Sequence, residues 1–187
     1  VRETPPGFTF AVKAPKAVTH EARLRDCEGA IERFIDEISG LGAKLGPVLI
    51  QTPPSLRFDG NAGRFLDLWR GRFIGETVWE PRHRTWFTPE AQTALSEHLV
   101  AQAAADPALA PEAARPGGWD GIAYMRLHGS PQMYASAYGS ERIAELTIPL
   151  FSHANAWCIF DNTQFGAATR DALILHDQVV AVALGES

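Results

Sequence analysis

The segment "GIAYMRLHG" (residues 121–129) decides what kind of sheet this chain builds. Its apolar run is nearly continuous, which is typical of a strand buried on both faces of a parallel sheet. Arg126 and His128 close the run and would share one face, because successive side chains of a strand alternate between faces. Gly129 follows, where a ligand could approach the backbone. The segment therefore predicts a buried strand with a polar carboxyl end.

Strands of the same kind alternate with helical patterns along the chain. Apolar residues three and four positions apart predict amphipathic helices, and Thr88-Pro89-Glu90 predicts a helix start with an N-cap, a first-turn proline and an acid. The Ala- and Pro-rich segment 101–118 is expected to be a long connection. This order, counted as six strand–helix units, predicts an α/β fold. The predicted strands are 8–15, 46–54, 76–83, 98–106, 121–129 and 156–162, and the predicted helices are 22–41, 60–70, 88–98, 139–151 and 165–175.

Polar residues recur at one place in each unit, at the carboxyl end of the predicted strand. In parallel α/β folds, ligands bind outside these ends. We therefore expect six polar clusters from distant parts of the chain to converge on one rim. In strand order, the clusters are Lys13 and His20; Gln51; Glu80, Arg82 and His83; Asp106; Arg126 and His128; and Asp161 and Asn162.

Length and composition favour a single globular domain over residues 1–187, with 45 % hydrophobic residues to build its core. The formal net charge of −5 argues against a nucleic-acid or anionic-membrane binder. No apolar run approaches the roughly 18 residues of a membrane span, and no secretory signal is visible, so a cytoplasmic protein is expected. The chain opens on Val1 rather than Met, so we expect that residues upstream of it are absent.

Five blocks of this sequence resemble, in order, those of the domain-of-unknown-function 72 family, also called YecE-like. They are "PPGFTFAVKAPKAVTH" (5–20), "LGPVLIQTPP" (45–54), "WEPRHRTW" (79–86), "AYMRLHGSPQMYASAY" (123–138) and "FDNTQFGAA" (160–168). The resemblance spans nearly the whole chain. It implies a TIM-type β/α-barrel with no agreed biochemical activity.

The resemblance also implies a shortfall at the start of the chain. A TIM barrel has eight strands, whereas six units are visible, and family members usually carry about two more units before the block that begins here at Pro5. We therefore expect a barrel that lacks its first two units. If those units are deleted from the protein, its open strand edges need a cover, and a homo-oligomer is expected. A second departure is Asp161, an anionic acceptor where the family usually has Asn.

Three residues are candidates for acid–base catalysis, namely Glu80, His83 and His128. Glu80 would share a strand face with Arg82, and the alternative to a catalytic role is an ion pair that compensates a buried charge. His83 and His128 belong to the residue type that exchanges protons near neutral pH. For His128, the polar neighbours favour a functional role over that of a core histidine.

Nine residues are candidates for ligand binding. Arg126 offers a planar fork that suits carboxylate or phosphate, but it could instead be tied to Glu80 or Asp106. Tyr134 and Tyr138, four positions apart, would project from one face of a helical turn, or could simply pack their own loop. The nine are Lys13, His20, Arg82, Asp106, Arg126, Tyr134, Tyr138, Asp161 and Asn162.

These residues lead to a hypothesis of an enzyme or enzyme-like protein that acts on a small polar or anionic metabolite, phosphorylated or carboxylated and sugar-like, by acid–base chemistry. Arg126, with Lys13 or Arg82, would hold the anion. The alternative is a non-catalytic module that binds a metabolite, nucleic acid or protein partner, so the sequence leaves enzymatic activity open. The cofactor is unknown: ligand types for a divalent metal are present, but no metal-binding spacing supports one, and no metal ligand is assigned.

Overall fold

The structure is a computed structural model that describes residues 3–185. Its backbone is a mixed α/β chain with parallel sheets, as the alternation of strands and helices predicts. The chain divides into two compact units. Unit 1 comprises Val1–Gln102 and Gly118–Asp120, and unit 2 comprises Ala103–Gly117 and Gly121–Ser187. Two units can belong to one domain, so the single domain over residues 1–187 stays a prediction.

Strands and helices follow each other in the predicted order. The strands are β1 (Phe10–Lys13), β2 (Leu45–Gln51), β3 (Thr77–Glu80), β4 (Val100–Gln102), β5 (Ala104–Asp106), β6 (Gly117–Gly118), β7 (Ala123–Leu127) and β8 (Ala156–Phe160). The α-helices are α1 (Glu28–Ser39), α2 (Gly60–Arg70), α3 (Pro89–Glu97), α4 (Ser140–Thr147) and α5 (Ala167–Leu184).

The sheet of unit 1 runs in the order β1-β2-β3-β4-β6, and β1 to β4 pair in parallel. Its register places Lys13 opposite Leu49 and Gln51 opposite Glu80. Because paired residues of parallel strands project from the same face, these polar side chains share one face of the sheet at its carboxyl edge.

Aromatic side chains fill the core of unit 1 on the other face of the sheet. Trp79 of β3 packs against Trp86, with ring centroids 4.5 Å apart, and edge-on against Phe65 of α2, with centroids 5.8 Å apart. Both tryptophans are fully buried, and the Trp86 indole N–H donates to the Leu56 carbonyl at 3.0 Å. Such large buried rings dominate the apolar area of a core.

Unit 2 contains the sheet β5-β7-β8, in which all strands are parallel. Its register aligns Asp106 with Leu127, and Leu127 with Phe160. The residues that follow these strands, among them His128 and Asp161, consequently come out at the same edge. The core beneath this edge is formed by Ala104, Ala123, Met125, Leu127 and Leu150.

Three predicted helices have different bounds in the structure. Helix 139–151 is an α-helix only over Ser140–Thr147 and continues as a 3₁₀ turn over Ile148–Leu150. Helix 22–41 begins only at Glu28, because Arg23 and Leu24 adopt left-handed backbone angles, with φ of 52° and 65°, which a right-handed helix cannot include. The last helix continues past residue 175 to Leu184, where Gly185 adopts the left-handed conformation that commonly ends helices.

The predicted strand 98–106 is present as two short strands. β4 and β5 belong to different sheets, and Ala103 separates them. The helix start at Thr88 is confirmed: its hydroxyl accepts from the Ala91 N–H at 3.4 Å, and Pro89 is the first helical residue. The predicted connection 101–118 overlaps β4 and β5 and includes a 3₁₀ turn at Pro111–Ala114.

Within residues 3–185 the strands form one five-stranded and one three-stranded sheet, and no closed barrel is found among them. The observed fold is therefore the α/β class with parallel sheets, and the TIM-type barrel stays an expectation. Over the same residues, none of the helices combines the length and apolar character that crossing a bilayer requires.

Candidate functional site

At the carboxyl edge of the unit 2 sheet, Arg126 and His128 both contact the carboxylate of Asp161. These three residues are here termed the Asp161 cluster. Asp161 Oδ2 accepts from Arg126 Nη2 at 2.6 Å and from His128 Nδ1 at 3.0 Å. The backbone fixes all three, because Arg126 lies in β7 and the Asp161 N–H donates to the Leu127 carbonyl at 2.8 Å. The sheet register therefore brings a cation, an imidazole and a carboxylate together.

Burial differs within the Asp161 cluster. Arg126 and His128 are buried, whereas the Asp161 side chain is 32 % exposed. The carboxylate compensates the buried guanidinium, which would otherwise carry a large desolvation cost. When Asp161 is ionised, Nδ1 of His128 must carry the proton that it donates, and Nε2 becomes the basic nitrogen of a neutral ring. The cluster thus fixes the tautomer of a histidine that neighbours a solvent-accessible carboxylate.

Tyr134 lies against His128 without being helical. Its ring is edge-on to the imidazole, with centroids 5.7 Å apart and an interplanar angle of 84°. Its backbone has a φ of 66°, and its N–H donates to the His128 carbonyl. Of the two arrangements that the sequence leaves open for Tyr134 and Tyr138, a shared helical turn is therefore not formed, because a left-handed residue interrupts it. Tyr134 is 43 % exposed and can contact a ligand directly.

Tyr138 joins two loops through its hydroxyl. The oxygen accepts from the Gly129 N–H at 2.8 Å and lies 3.0 Å from Asp106 Oδ2, to which it donates. Burial raises the pKa of this phenol, and the neighbouring Asp106 carboxylate acts in the same direction, so the hydroxyl stays protonated. Asp106 also pairs with Arg142 Nη2 at 3.3 Å. Tyr138 and Asp106, two of the candidate ligand-binding residues, thus hold the loop that follows β7 in place.

Asn162 and Asp171 form a second buried link to that loop. Asn162 Nδ2 donates to Asp171 Oδ2 at 2.7 Å and to the Ser136 carbonyl at 2.9 Å. The same Asp171 oxygen accepts from the Tyr138 N–H at 3.1 Å. Sequence reasoning missed Asp171; the only signal was an acid placed early in an apolar helix, "RDALIL". Asn162, expected to bind a ligand, bonds within the protein instead.

Unit 1 has its own polar group on the sheet face opposite the aromatic core. Glu80 is 1 % exposed and forms an ion pair with Arg82, which matches the alternative of a compensated buried charge. The Gln51 amide lies between two cations. With its oxygen turned to Arg82 it accepts from Nη2 at 3.0 Å, and in the opposite orientation it accepts from Lys13 Nζ at 3.4 Å. The shorter contact favours the first orientation.

The two candidate histidines of unit 1 take different positions. His83 Nδ1 accepts from the Thr85 N–H at 3.2 Å and so caps the turn Arg84–Phe87, which gives one ring nitrogen a structural task. His20 Nδ1 lies 2.7 Å from the Thr19 hydroxyl. Burial lowers the pKa of His20, and the charges of Lys16 and Lys13 lower it further. The charge of Glu21 acts in the opposite direction and is the smallest of these contributions.

Within each unit, hydrogen bonds and ion pairs join several of the candidates. Glu80, Arg82 and Lys13 belong to the group in unit 1, while the Asp161 cluster belongs to unit 2. Convergence of all six on one rim stays a prediction. Within residues 3–185, no three or more His, Cys, Asp or Glu side chains are grouped closely enough to hold a metal ion.

Comparisons with known proteins agree on one family. The family described as "Protein of unknown function DUF72" matches residues 1–185. A crystal structure of a DUF72 family protein from Thermotoga maritima MSB8 is similar over 95 % of this chain and 76 % of that chain, with a TM-score of 0.81 and 25 % sequence identity. No curated protein shows significant similarity to the chain.

Two crystal structures of a DUF72 family protein from Enterococcus faecalis V583 are also similar. They share 18 % and 19 % of residues with this chain, with TM-scores of 0.77 and 0.80. The matches cover 92 % and 95 % of this chain, and 74 % and 80 % of the other chains. At that identity the likeness concerns the fold alone.

Proposed function

The chain belongs to the DUF72 family, whose function is unknown, and from this premise we propose a function based on the geometry of unit 2. The Asp161 cluster performs acid–base chemistry on a small polar ligand at the carboxyl edge of β5, β7 and β8. Phosphorylated or carboxylated, sugar-like metabolites are the proposed ligand class. The observation that carries this proposal is the 3.0 Å contact between His128 Nδ1 and Asp161 Oδ2.

A carboxylate on Nδ1 is a suitable support for an acid–base imidazole. It orients the ring, selects the tautomer and stabilises the charged imidazolium if the ring takes up a proton. General acid–base catalysis requires such a positioned group, and histidine is the side chain that most often supplies it. His128 is accordingly the proposed acid–base group, and Asp161 is its positioning residue.

Arg126 has a different role in this proposal from the one expected from sequence. Its guanidinium is already paired with Asp161 at 2.6 Å, so its charge is compensated within the protein. We assign it to holding the Asp161 side chain in place, rather than to binding a substrate anion. Tyr134, exposed and in contact with His128, is the proposed ligand contact of this edge.

The test combines the tautomer of His128 with ligand binding. The ¹⁵N chemical shifts of its imidazole report which nitrogen carries the proton, and a thermal-shift panel of carboxylated sugars and hydroxycarboxylates reports binding. Asp161→Asn is expected to abolish the preference for the Nδ1-protonated ring and the stabilisation by ligand. The matched control is Asp177→Asn, which alters the exposed pair of His176 and Asp177 on α5. An unchanged tautomer and unchanged binding in Asp161→Asn contradict the proposal.

A second variant keeps this test usable if the first one unfolds. Asp161→Asn removes the counter-charge of the buried Arg126, and an uncompensated buried charge typically costs about 3–5 kcal/mol. His128→Gln leaves the ion pair of Arg126 and Asp161 in place. We expect it to remain folded, with its unfolding temperature close to that of the unaltered chain, and to lose ligand conversion.

Non-catalytic binding is a second candidate function, and one observation favours it. His128 is 1 % exposed, whereas the Asp161 side chain is 32 % exposed and Tyr134 is 43 % exposed. In a binding module these two residues contact the ligand, and His128 only orients the carboxylate. NMR spectra of a bound ligand over time distinguish the two functions, because only an enzyme converts it.

We also propose that the six units are part of a TIM-type β/α-barrel. Support comes from the sequential parallel order of β1 to β4, from the helices that follow these strands, and from the TM-score of 0.81 with the Thermotoga maritima structure. A crystal structure of this chain tests the proposal: a continuous curved sheet supports it, and two flat, separate sheets contradict it.

A further inference from the structure

Two adjoining cavities in unit 1 lie between the loop after β1 and the loop after β2. The smaller cavity measures about 180 Å³ and the larger about 350 Å³, and Leu24, Arg25 and Asn61 line both. The smaller one is also lined by Arg23 and Arg57. We term Arg23, Arg25 and Arg57 the arginine cleft.

Backbone geometry explains why the arginines of the first loop face this cavity. Leu24 is buried in the core of unit 1, and its N–H donates to the Val18 carbonyl at 3.1 Å. Arg23, Leu24 and Asp26 all have positive φ, at 52°, 65° and 44°, although none is glycine. Such conformations are unfavourable for L-residues and cluster at ligand-binding sites. The anchored Leu24 thus presents its two arginine neighbours at the surface.

Hydrogen bonds across the cleft hold the two loops together. Arg23 donates to the Ser55 hydroxyl at 2.8 Å and to the Ser55 carbonyl at 3.0 Å. Arg25 and Arg57, in contrast, are exposed, and within residues 3–185 their guanidinium groups form no hydrogen bond or ion pair. A rigid frame therefore carries two guanidinium groups that are available to a ligand.

The charge of the smaller cavity is positive. Its three arginines face one carboxylate, that of Asp59, and Asp59 Oδ1 is engaged at the start of α2, where it accepts from the Asn61 N–H at 2.8 Å. Planar guanidinium forks match the oxygens of a phosphate group, and several of them can bind its two negative charges together.

The larger cavity has a different lining. Its charged residues are Asp26, Glu28, Arg64 and the shared Arg25, and its other residues are Asn61 and three apolar residues, Leu24, Phe65 and Leu68. Carboxylate and amide oxygens accept hydrogen bonds from hydroxyl groups. The lining suits the uncharged, hydroxylated part of a molecule whose anionic part occupies the smaller cavity.

We propose that these cavities bind a small phosphomonoester, with its phosphate on the arginine cleft and its hydroxylated body in the larger cavity. This inference goes beyond the proposed function, because it uses no residue of the Asp161 cluster.

The test is isothermal titration calorimetry with glucose 6-phosphate, inorganic phosphate and glucose at constant ionic strength. Glucose 6-phosphate is expected to bind several-fold more tightly than phosphate, and glucose not to bind. The double variant Arg25→Gln/Arg57→Gln is expected to lose at least tenfold in affinity for both phosphates. The matched control is Arg170→Gln, which removes an exposed arginine of unit 2 and should leave the affinity unchanged.

Two results would overturn the proposal. Equal affinity of glucose 6-phosphate for the double variant and the unaltered chain excludes the arginine cleft, and equal affinity for phosphate and glucose 6-phosphate excludes the larger cavity. If the double variant is less stable, Arg57→Lys replaces it, because it keeps the charge but loses the planar fork and should still weaken binding.

Discussion

Single residues decide the geometry of the loop that follows β7. Gly129 has a φ of 96°, and a Cβ at this position would lie 3.0 Å from both the Gln132 and the Ser136 carbonyl oxygens. Those oxygens belong to the backbone and have little room to move. The turn after the strand that opens the candidate site therefore depends on the absence of a side chain.

Gly129→Ala is expected to destabilise the protein by about 2 kcal/mol or more, because it adds both left-handed strain and a steric overlap. Urea unfolding at equilibrium measures the change. Gly63→Ala is the control: Gly63 lies within α2 with open space around its Cα, so alanine there should stabilise by up to about 1 kcal/mol. A Gly129→Ala variant as stable as the Gly63→Ala variant contradicts the geometry described.

Tyr138 makes the free energy of unfolding depend on pH in the alkaline range. Burial raises its pKa above the usual tyrosine value of 10.0, so the folded state holds the phenolic proton at pH values where the unfolded chain releases it. The stabilisation is complete below pH 10 and declines as pH rises from there towards the folded pKa. We expect the free energy of unfolding to fall more steeply above pH 10 in the unaltered chain than in Tyr138→Phe.

Denaturant unfolding at several pH values measures the slope. Below pH 10, Tyr138→Phe should cost about 1–3 kcal/mol, because Gly129 N–H and Asp106 lose their shared partner. Tyr134→Phe, at an exposed hydroxyl, is the control and should retain the slope of the unaltered chain. Identical slopes in Tyr138→Phe and the unaltered chain refute the prediction.

At the scale of elements, α5 supports the candidate site through hydrogen bonds that Asp171 accepts. Asp171, in the second turn of this helix, is 1 % exposed and accepts from Asn162 and from the Tyr138 N–H. A helix that packs against the sheet thereby also fixes the loop between β7 and α4. The site edge and the helix should consequently lose order together.

Asp171→Ala is expected to destabilise unit 2 by about 2–3 kcal/mol, since a buried donor of Asn162 and the partly buried N–H of Tyr138 lose their acceptor. Amide hydrogen exchange should be faster at Tyr138, whose N–H donates to Asp171. Asp177→Ala, at an exposed position of the same helix, should change neither quantity appreciably. Unchanged exchange at Tyr138 in Asp171→Ala speaks against this coupling.

Most elements could be predicted from the sequence, because their apolar spacing is local. α2 has the predicted bounds, with Phe65 and Trp69 buried four positions apart. The start of α1 could not be predicted, since neither Arg23 nor Leu24 is a residue type that signals a left-handed turn. Such a conformation is imposed by the tertiary burial of Leu24.

The candidate site was predictable in part for the same reason. Arg126 and His128 share a strand face by local alternation, but their pairing with Asp161 depends on the register between β7 and β8. Asp171 was missed because a carboxylate in a helix is usually solvated. Only the folded arrangement, in which Asn162 and the Tyr138 N–H meet it, makes its burial favourable.

For the whole molecule, net charge and exposed apolar surface have opposite effects on the association of one molecule with another. The formal net charge is −5 at pH 7 and the sequence pI is about 5.7. Leu173, Val182 and Leu184 of α5 are each more than half exposed. Repulsion between molecules keeps such surfaces apart while the net charge is substantial.

Solubility is therefore expected to have a minimum near pH 5.7, where the net charge vanishes. Light scattering by aggregates, measured over pH 5 to 8, should be strongest at this solubility minimum. Replacing Leu173 by Lys should reduce the scattering at that minimum by removing exposed apolar area and should shift the minimum to higher pH. Thr169→Lys, an exposed position on the same helix, adds the same charge without removing apolar area. Equal scattering by the two variants, each at its own minimum, excludes a contribution from Leu173.

The aromatic core of unit 1 has an optical consequence. Trp79 and Trp86 are fully buried with their rings 4.5 Å apart, and Trp69 is buried beside Phe65 in the same core. Indoles this close and this rigid couple electronically, so they should give a strong near-ultraviolet circular dichroism band that disappears when their packing loosens. Unit 1 thus contains its own spectroscopic reporter, and its melting can be followed without any attached label.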